Sequence, residues 1–422
     1  MIKYEKYKPS DIDWLGEIPQ NWELKRVKDI INKIGSGVTP KGGSEVYVDF
    51  GIPLIRSQNV YDDGLRLDDV SFIDEETNNK MKSSQLKPND ILINITGASI
   101  GRSCVVPKNI EIANINQHII YLRVKEKYVP FITYYIKSNV VKEYINLIQA
   151  GTSKEALNMG QAINIPVVIP DFNTQNAIVS FIENKTQAID KKINLLNLKT
   201  NYYKEYRKSI INESVTKGLD KNVIFKNSDI NYINDIPKHW KIERIKDLFN
   251  IGRGRVIGQE LLVEEGKYPV YSSQTENNGC LGYIETYDFD NDLLTWTTDG
   301  ANAGTVFRRS GKFNCTNVCG TLIPKRRNLD LDYVVYALQE SATHNKRIDT
   351  NGAKIMNNEM AVINIAFPPL KEQTEIAKYL DAKTQTIDKI VENINTQIIT
   401  LKELRKTLIN DVVTGKIKVT QD

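Results

Sequence analysis

The chain repeats itself. Residues 175–216 align with 373–414 without a gap at an offset of 198, and 17 of the 42 positions are identical, far more than unrelated segments share. The identities include TQ-x-IDK at 186–191 and 384–389 and KE-x-RK at 204–208 and 402–406. A second match, at an offset of 218, joins DWLGEIPQNWELKRVKDI at 13–30 to NYINDIPKHWKIERIKDL at 231–248. The order is therefore globular part, helical part, globular part, helical part. Such a duplication restricts the fold more than composition can, because repeated units bury their apolar faces on each other.

The helical parts are the clearest local signal. Leu380, Ile387, Val391, Ile394, Ile398, Leu401, Leu408 and Val412 are spaced alternately by three and four residues, with Thr384 and Arg405 on the same line. The first copy has Ile182, Thr186, Ile189, Ile193, Leu196, Thr200, Tyr203, Arg207, Ile210 and Ser214. A 3.5-residue repeat over this length is a coiled-coil seam. Pro170 and Pro369 precede the helices, Asn173 is the expected N-cap, and Gly218 and Gly415 are expected to end them. One such helix alone would leave its seam wet, so the two are expected to pack on one another rather than lie as surface helices on separate domains. The polar seam residues Arg207 and Arg405 either fix register or reach out to solvent.

The globular parts read as mixed α/β. ILINIT (91–96), LLTWTT (293–298) and HIIYLRV (118–124) are strand-like, and FITYYIKSNVVKEYINLI (131–148) and DYVVYALQESA (332–342) are amphipathic helices. GSG at 35–37, KGG at 41–43 and GRG at 252–254 read as turns. Internal matches are sparse: PLIRSQ (53–58) faces PVYSSQ (269–274), DILINITGASIG (90–101) faces DLLTWTTDGANAG (292–304), and INIPVVIP (163–170) faces INIAFPP (363–369). The frame repeats while its interior has diverged, as expected of two readers of different targets. The division expected is a first globular domain with its N-terminal segment at 1–168, long helix 169–217, linker 218–235, second globular domain 236–367, long helix 368–415 and tail 416–422. The overall class is α+β with an internal pseudo-twofold repeat.

Composition excludes several classes. At 422 residues, 41% hydrophobic and 26% charged, the chain has ordinary globular proportions. Its longest apolar runs are far too short to span a bilayer, and the charged N-terminus lacks a signal peptide's apolar core, so a cytoplasmic protein without membrane contact is expected. A net charge of +4 permits a nucleic-acid partner without demanding one. Cys315 and Cys319, with Cys104 and Cys280, make neither a disulfide framework nor a zinc site and read as reduced thiols. No phosphate-binding loop, nucleophile constellation or metal cluster is legible. IGRGRVIG at 251–258 misses the dinucleotide spacing by one, and Phe367-Pro368-Pro369-Leu370 lacks the Asn or Asp of an amino-methyltransferase. No catalytic residue and no metal ligand is assigned.

WLGEIPQNW, TGASIG, and the proline–Gln–Ile entry into a helix ending RKSIINESVTKG, with its second copy LRKTLINDVVTGK, together resemble the specificity subunit of a type I restriction–modification system. The resemblance implies two target recognition domains, each reading one half of a split, asymmetric duplex DNA sequence, held apart by two antiparallel helices. It implies two docked methyltransferase subunits, with restriction subunits joining that core. It also implies that S-adenosylmethionine, ATP and magnesium belong to those partners, and that none is bound by this chain, which is not an enzyme by itself. A self-contained DNA methyltransferase or nuclease, or a duplicated coiled-coil scaffold without DNA function, are the alternatives.

Reading base edges takes Arg, Asn, Gln and Ser, and holding phosphates takes Lys and Arg. Candidates at matching places are Lys41, Arg56, Ser57, Gln58, Ser99, Arg102, Asn116, Gln117 and Lys154 in the first part. In the second they are Arg253, Arg255, Ser273, Gln274, Asn302, Arg308, Asn317 and Lys354. Finally, pseudo-twofold symmetry predicts that Val413–Asp422 lies beside Ser10–Pro19, closing the repeat.

Overall fold

Both long helices are entered through the same device. The side-chain amide of Gln175 donates to the Pro170 carbonyl and that of Gln373 to the Pro368 carbonyl, each at 2.8 Å, and both glutamines are buried. The helices run over Phe172–Lys217 and Leu370–Val413. The N-cap of the first is Asp171 rather than the expected Asn173: its carboxylate accepts from the Thr174 amide at 3.1 Å and hydroxyl at 2.6 Å. These bonds hold the carboxyl below its ordinary pKa. Gly218 and Gly415 end the helices, both at φ +75°, where a side chain would be strained. Gly218 lies against Trp240, and Gly415 against Pro19 and Trp22.

The structure, a computed structural model, describes residues 2–149, 156–349 and 352–419. The chain divides into two units, one of residues 1–195 and 396–422, the other of 196–395. Each unit contains part of both helices. In the first, Asp190 pairs with Arg405 at 3.2 Å. In the second, Arg207 pairs with Asp388 at 3.1 Å. Advancing from Asp190 to Arg207 on one helix corresponds to an equal retreat from Arg405 to Asp388 on the other, so the helices are antiparallel. The TQ-x-IDK motif of each helix thus meets the KE-x-RK motif of the other, and each seam arginine ends in an ion pair with an aspartate. Half-exposed pairs of this kind contribute about 0–1 kcal/mol each, so they select register more than they add stability. Ile210, Ile387, Ile394 and Ile398 are buried; Ile189, Ile193, Leu196, Tyr203, Val391, Leu401 and Leu408 are half-buried. Thr186, Thr200, Ser214 and Thr384 are also buried.

Each unit carries two four-stranded sheets of the same order. In the first unit Ser103–Val105, Ile91–Asn94, Ile119–Val124 and Ile31–Ser36 are antiparallel neighbours. In the second unit Val306–Arg309, Leu293–Thr297, Cys319–Pro324 and Phe249–Arg253 repeat them. The other sheet runs Ser71–Ile73, Ile52–Ile55, Ala113–Ile115, Gln85–Leu86, and its counterpart Cys280–Ile284, Tyr268–Tyr271, Lys312–Cys315, Phe289–Asp290. One parallel pair occurs in each, Ile52–Ile55 with Ala113–Ile115 and Tyr268–Tyr271 with Lys312–Cys315. A two-stranded ribbon leads back to each helix: Glu23–Arg26 pairs Pro166–Ile169, and Lys241–Arg244 pairs Asn364–Phe367.

Two local expectations need correction. The helix predicted over 131–148 is two, Val129–Tyr135 and Asn139–Gln149. The break falls at Ser138, and the Asn139 amide donates to the Asn410 side chain at 2.9 Å, a tertiary cap stronger than local periodicity. The GSG and GRG motifs are not turns. Gly35 and Gly252 lie within strands, and a Cβ on Gly35 would sit 2.4 Å from the Tyr121 ring.

The predicted neighbourhood of the chain ends is present within the first unit. Lys418 donates to the Ile2 carbonyl at 2.8 Å and the Tyr7 hydroxyl to the Gly415 carbonyl at 3.2 Å. The last residues, 420–422, lie outside the described residues.

Candidate nucleic-acid interface

The candidate residues lie on loops, and what brings the loops together is backbone. In the first unit the Asn116 amide donates to Ile55 O (3.1 Å), Ile95 to His118 O (3.0 Å), Gly37 to Ile119 O (2.9 Å) and Val38 to Ile115 O (3.3 Å). In the second, Thr316 donates to Tyr271 O (2.8 Å), Thr298 to Val318 O (3.3 Å), Gly254 to Cys319 O (3.1 Å) and Arg255 to Cys315 O (3.0 Å). The same four links therefore tie the same four loops in each unit. Main-chain bonds do not depend on the side chains that vary, so the frame persists while the loop sequences diverge.

Gly37 and Gly254 make this convergence possible. A Cβ at either would fall 2.0 Å from the carbonyl oxygen of Asn116 or Cys315. Sequence reading missed them, although both end a G-x-G segment at matching places. Gly254→Ala should destabilise the second unit by about 3 kcal/mol, lowering its thermal midpoint by about 6–12 °C. Gly37→Ala should do the same to the first, each readable as a shift of one transition in calorimetry.

In the first unit Ser57, Gln58, Ser99, Asn116 and Gln117 come together. The buried Asn94 donates to the Ser57 carbonyl at 2.8 Å and the Ser99 hydroxyl at 3.1 Å, bracing two candidate loops at once. Thr96 and His118 share a hydrogen bond of 2.8 Å. Arg56 and Gln58 both reach Asp69. Arg102 is exposed, 5.1 Å from the Tyr61 ring centroid, and Lys41 is exposed. Lys154 lies outside the described residues.

In the second unit Ser273, Gln274, Asn302 and Asn317 belong to the joined loops. The Asn302 amide donates to the Thr275 hydroxyl at 3.1 Å, Ser272 shares a 3.0 Å bond with Thr316, and the Gln274 amide donates to the Cys280 carbonyl. Lys354 bridges to Asp299 through the backbone. The arginines are committed within the fold. Arg253 donates to Asn357 at 3.1 Å and Arg255 pairs with Asp288 at 2.8 Å. Arg308 holds Asp292 and Asp332, near the opposite end of the central strand from its loop, so the structure does not bring it to the cluster. Cys315 and Cys319 are buried and free, and the hydrogen bond with Cys319, together with burial, holds the Cys315 thiol well above its ordinary pKa. Among the described residues no group of three or more His, Cys, Asp or Glu is placed to hold a metal ion, and no helix is long and apolar enough to cross a membrane.

Two loop-bearing units of one topology, each followed along the chain by a long helix, define a duplicated protein. The chain belongs to the type I restriction modification DNA specificity domain family, whose model matches residues 19–200 and again 237–400. A Mycoplasma pneumoniae type I specificity subunit, S.MpnORF201P, is 32% identical over 243 residues, 57% of this chain and 91% of its own. The MjaX specificity subunit of Methanocaldococcus jannaschii is 23% identical over 99% of this chain and 98% of its own. A chain from a structure of type I restriction–modification complex assembly superposes with a TM-score of 0.74 at 14% identity, covering 95% of this chain and 99% of that one. The HsdS subunit of Thermoanaerobacter tengcongensis superposes at 0.55 and 14% identity, covering 95% and 98%. At such identities these two likenesses show the fold.

Proposed function

We propose that this type I specificity subunit binds a bipartite, asymmetric duplex DNA target, one half per unit, and scaffolds the methyltransferase and restriction subunits that supply S-adenosylmethionine, ATP and magnesium chemistry. The observation that carries this reading is the pair of identical backbone frames that share a Ser-Gln pair, Ser57-Gln58 and Ser273-Gln274, but present different side chains beside it: Ser99, Asn116 and Gln117 on one, Asn302, Thr316 and Asn317 on the other. Two frames of one shape fit the repeating geometry of duplex DNA, and different side chains fit different base edges. Partner docking is supported by the first long helix, where Leu195, Leu198, Tyr202 and Tyr206 form an exposed apolar stripe at helical spacing. Such a chain works within the cytoplasmic compartment that holds its DNA.

Co-expression with its methyltransferase subunits, followed by mapping of methylated adenines across the host genome, tests the reading. The expected result is one motif made of two short, unlike halves separated by a fixed run of unspecified bases. A contiguous motif, or methylation independent of this chain, would overturn it.

A further inference from the structure

The second unit buries one cation that the frame does not require. Arg309 is only 3% exposed. Its guanidinium lies 3.6 Å from the Tyr271 ring centroid and 4.4 Å from that of Phe307. Nε donates to the Thr295 hydroxyl at 3.1 Å and Nη1 to the Asn278 carbonyl at 2.8 Å. Nη2 has no partner and lies 2.8 Å from where a Cβ on Gly279 would be. Among the described residues no carboxylate pairs with it. A buried cation without a counter-anion weakens the fold, and two ring faces offset this only in part. An apolar side chain would fill the place more favourably, so the arginine's contribution lies in what it holds.

What it holds is an unusual loop. Asn277 (φ 47°), Asn278 (φ 54°) and Gly279 (φ 79°) are successive left-handed residues. Asparagine and glycine adopt this conformation most readily, but a run of three persists only where its surroundings impose it. Here Ser272 donates to the Gly279 carbonyl at 3.0 Å, the Gln274 side chain to Cys280, and Arg309 to Asn278. The loop displays Asn277 and Asn278, both exposed, and their side-chain amides bond nothing among the described residues. It also adjoins the candidate loop of Asn302 through Thr275. A carboxamide matches the adjacent acceptor and donor of adenine in the major groove.

We infer that Asn277 and Asn278 read bases, adenine first among them, in the half-site bound by the second unit, and that Arg309 is the positioning residue that holds them in register through the Asn278 carbonyl. This rests on the DNA-reading function proposed above and names its residues. The first unit provides an internal control. In the sheets Ile91, opposite Val105, holds the place of Leu294, opposite Arg308, so the residue at the place of Arg309 in the first unit is the next one, the buried Val106.

The test is the methylation map of the full complex carrying Arg309→Met. The expected result is an unchanged first half-site, a loss of at least about ten-fold preference at one or two adjacent positions of the second, and a thermal midpoint equal to or above the parent's, because the lone buried charge is gone. A purely structural arginine would instead lower the midpoint and weaken methylation at all sites alike, overturning the inference. So would unchanged preference at both half-sites, with the bipartite reading intact. Asn277→Gly with Asn278→Gly keeps the left-handed backbone while removing both amides. It should relax the same positions, and unchanged preference there overturns the inference even if Arg309→Met fails to fold. A parent complex without a two-part motif takes down the function and this inference together.

Discussion

A four-residue insertion made at the same point of both long helices should lengthen the recognised DNA site without altering either half. Equivalent points are after Asn201 and after Ile399, which lie between Asp190 and Arg207 on one helix and between Asp388 and Arg405 on the other. Both ion pairs can then re-form with their own partners, because each stays in register within its unit. Four residues add about 6 Å of helix, close to two base-pair steps at about 3.4 Å, and four is the insertion nearest to a whole turn, so the seam stays nearly in phase. The expected methylation map keeps both half-sites and widens the unspecified run by about two base pairs. The same insertion in the first helix alone forces one ion pair or the other out of register, and methylation should fall sharply. Retention of the parental spacing by the doubly lengthened protein would show that the helices are not the ruler.

A circular permutant should fold and keep both half-sites. Ile2 and Lys418 are bridged, and the N-terminal ribbon of the first unit is built as the linker ribbon of the second. Tyr7–Pro9 pairs Glu17–Pro19 as Phe225–Asn227 pairs Asp235–Pro237, and Gln20 donates to the Lys6 carbonyl as Lys238 does to that of Ile224. Joining the two ends through a short Gly/Ser linker and opening the chain at Asp220–Asn222, which is exposed, cuts no sheet and neither long helix. The permutant should show the parent's circular dichroism, a midpoint within a few degrees, and the same methylation motif when supplied with its partners. Recovery only as an unfolded chain would show that the bridge between residues 2 and 418 follows folding rather than substituting for a covalent connection.

The duplication, the two helices with their seams and glycine stops, and the family were all legible in the sequence. These features are local or periodic. A 3.5-residue repeat identifies the buried face before any partner is known, and a glycine after the last seam residue needs only helix geometry to be interpreted. The antiparallel direction was inferred from the need to separate two readers, and the duplicated Asp–Arg pairs supplied its physical form. Register required the partner helix, since each aspartate meets an arginine from the other copy of the motif.

The interface was legible as a set of loops but not as a set of contacts. Its frame is made of main-chain hydrogen bonds between segments distant in sequence, such as Asn116 with Ile55 and Thr316 with Tyr271, and no side-chain pattern announces them. Asp171 in place of Asn173, and the helix break at Ser138 capped by Asn410, were likewise decided by neighbours that local propensity does not include. The arginines at 308 and 309 make the point most sharply. They are adjacent and chemically identical, and the sequence alone offered Arg308 as the reader. In a strand, successive side chains point to opposite faces, so the sheet sends Arg308 outward to Asp292 and Asp332 and Arg309 inward beneath the Asn277–Gly279 turn. The sequence determined that two such units exist and how they are joined. Only the tertiary register decided which of two neighbouring cations became surface charge and which became part of a loop's foundation.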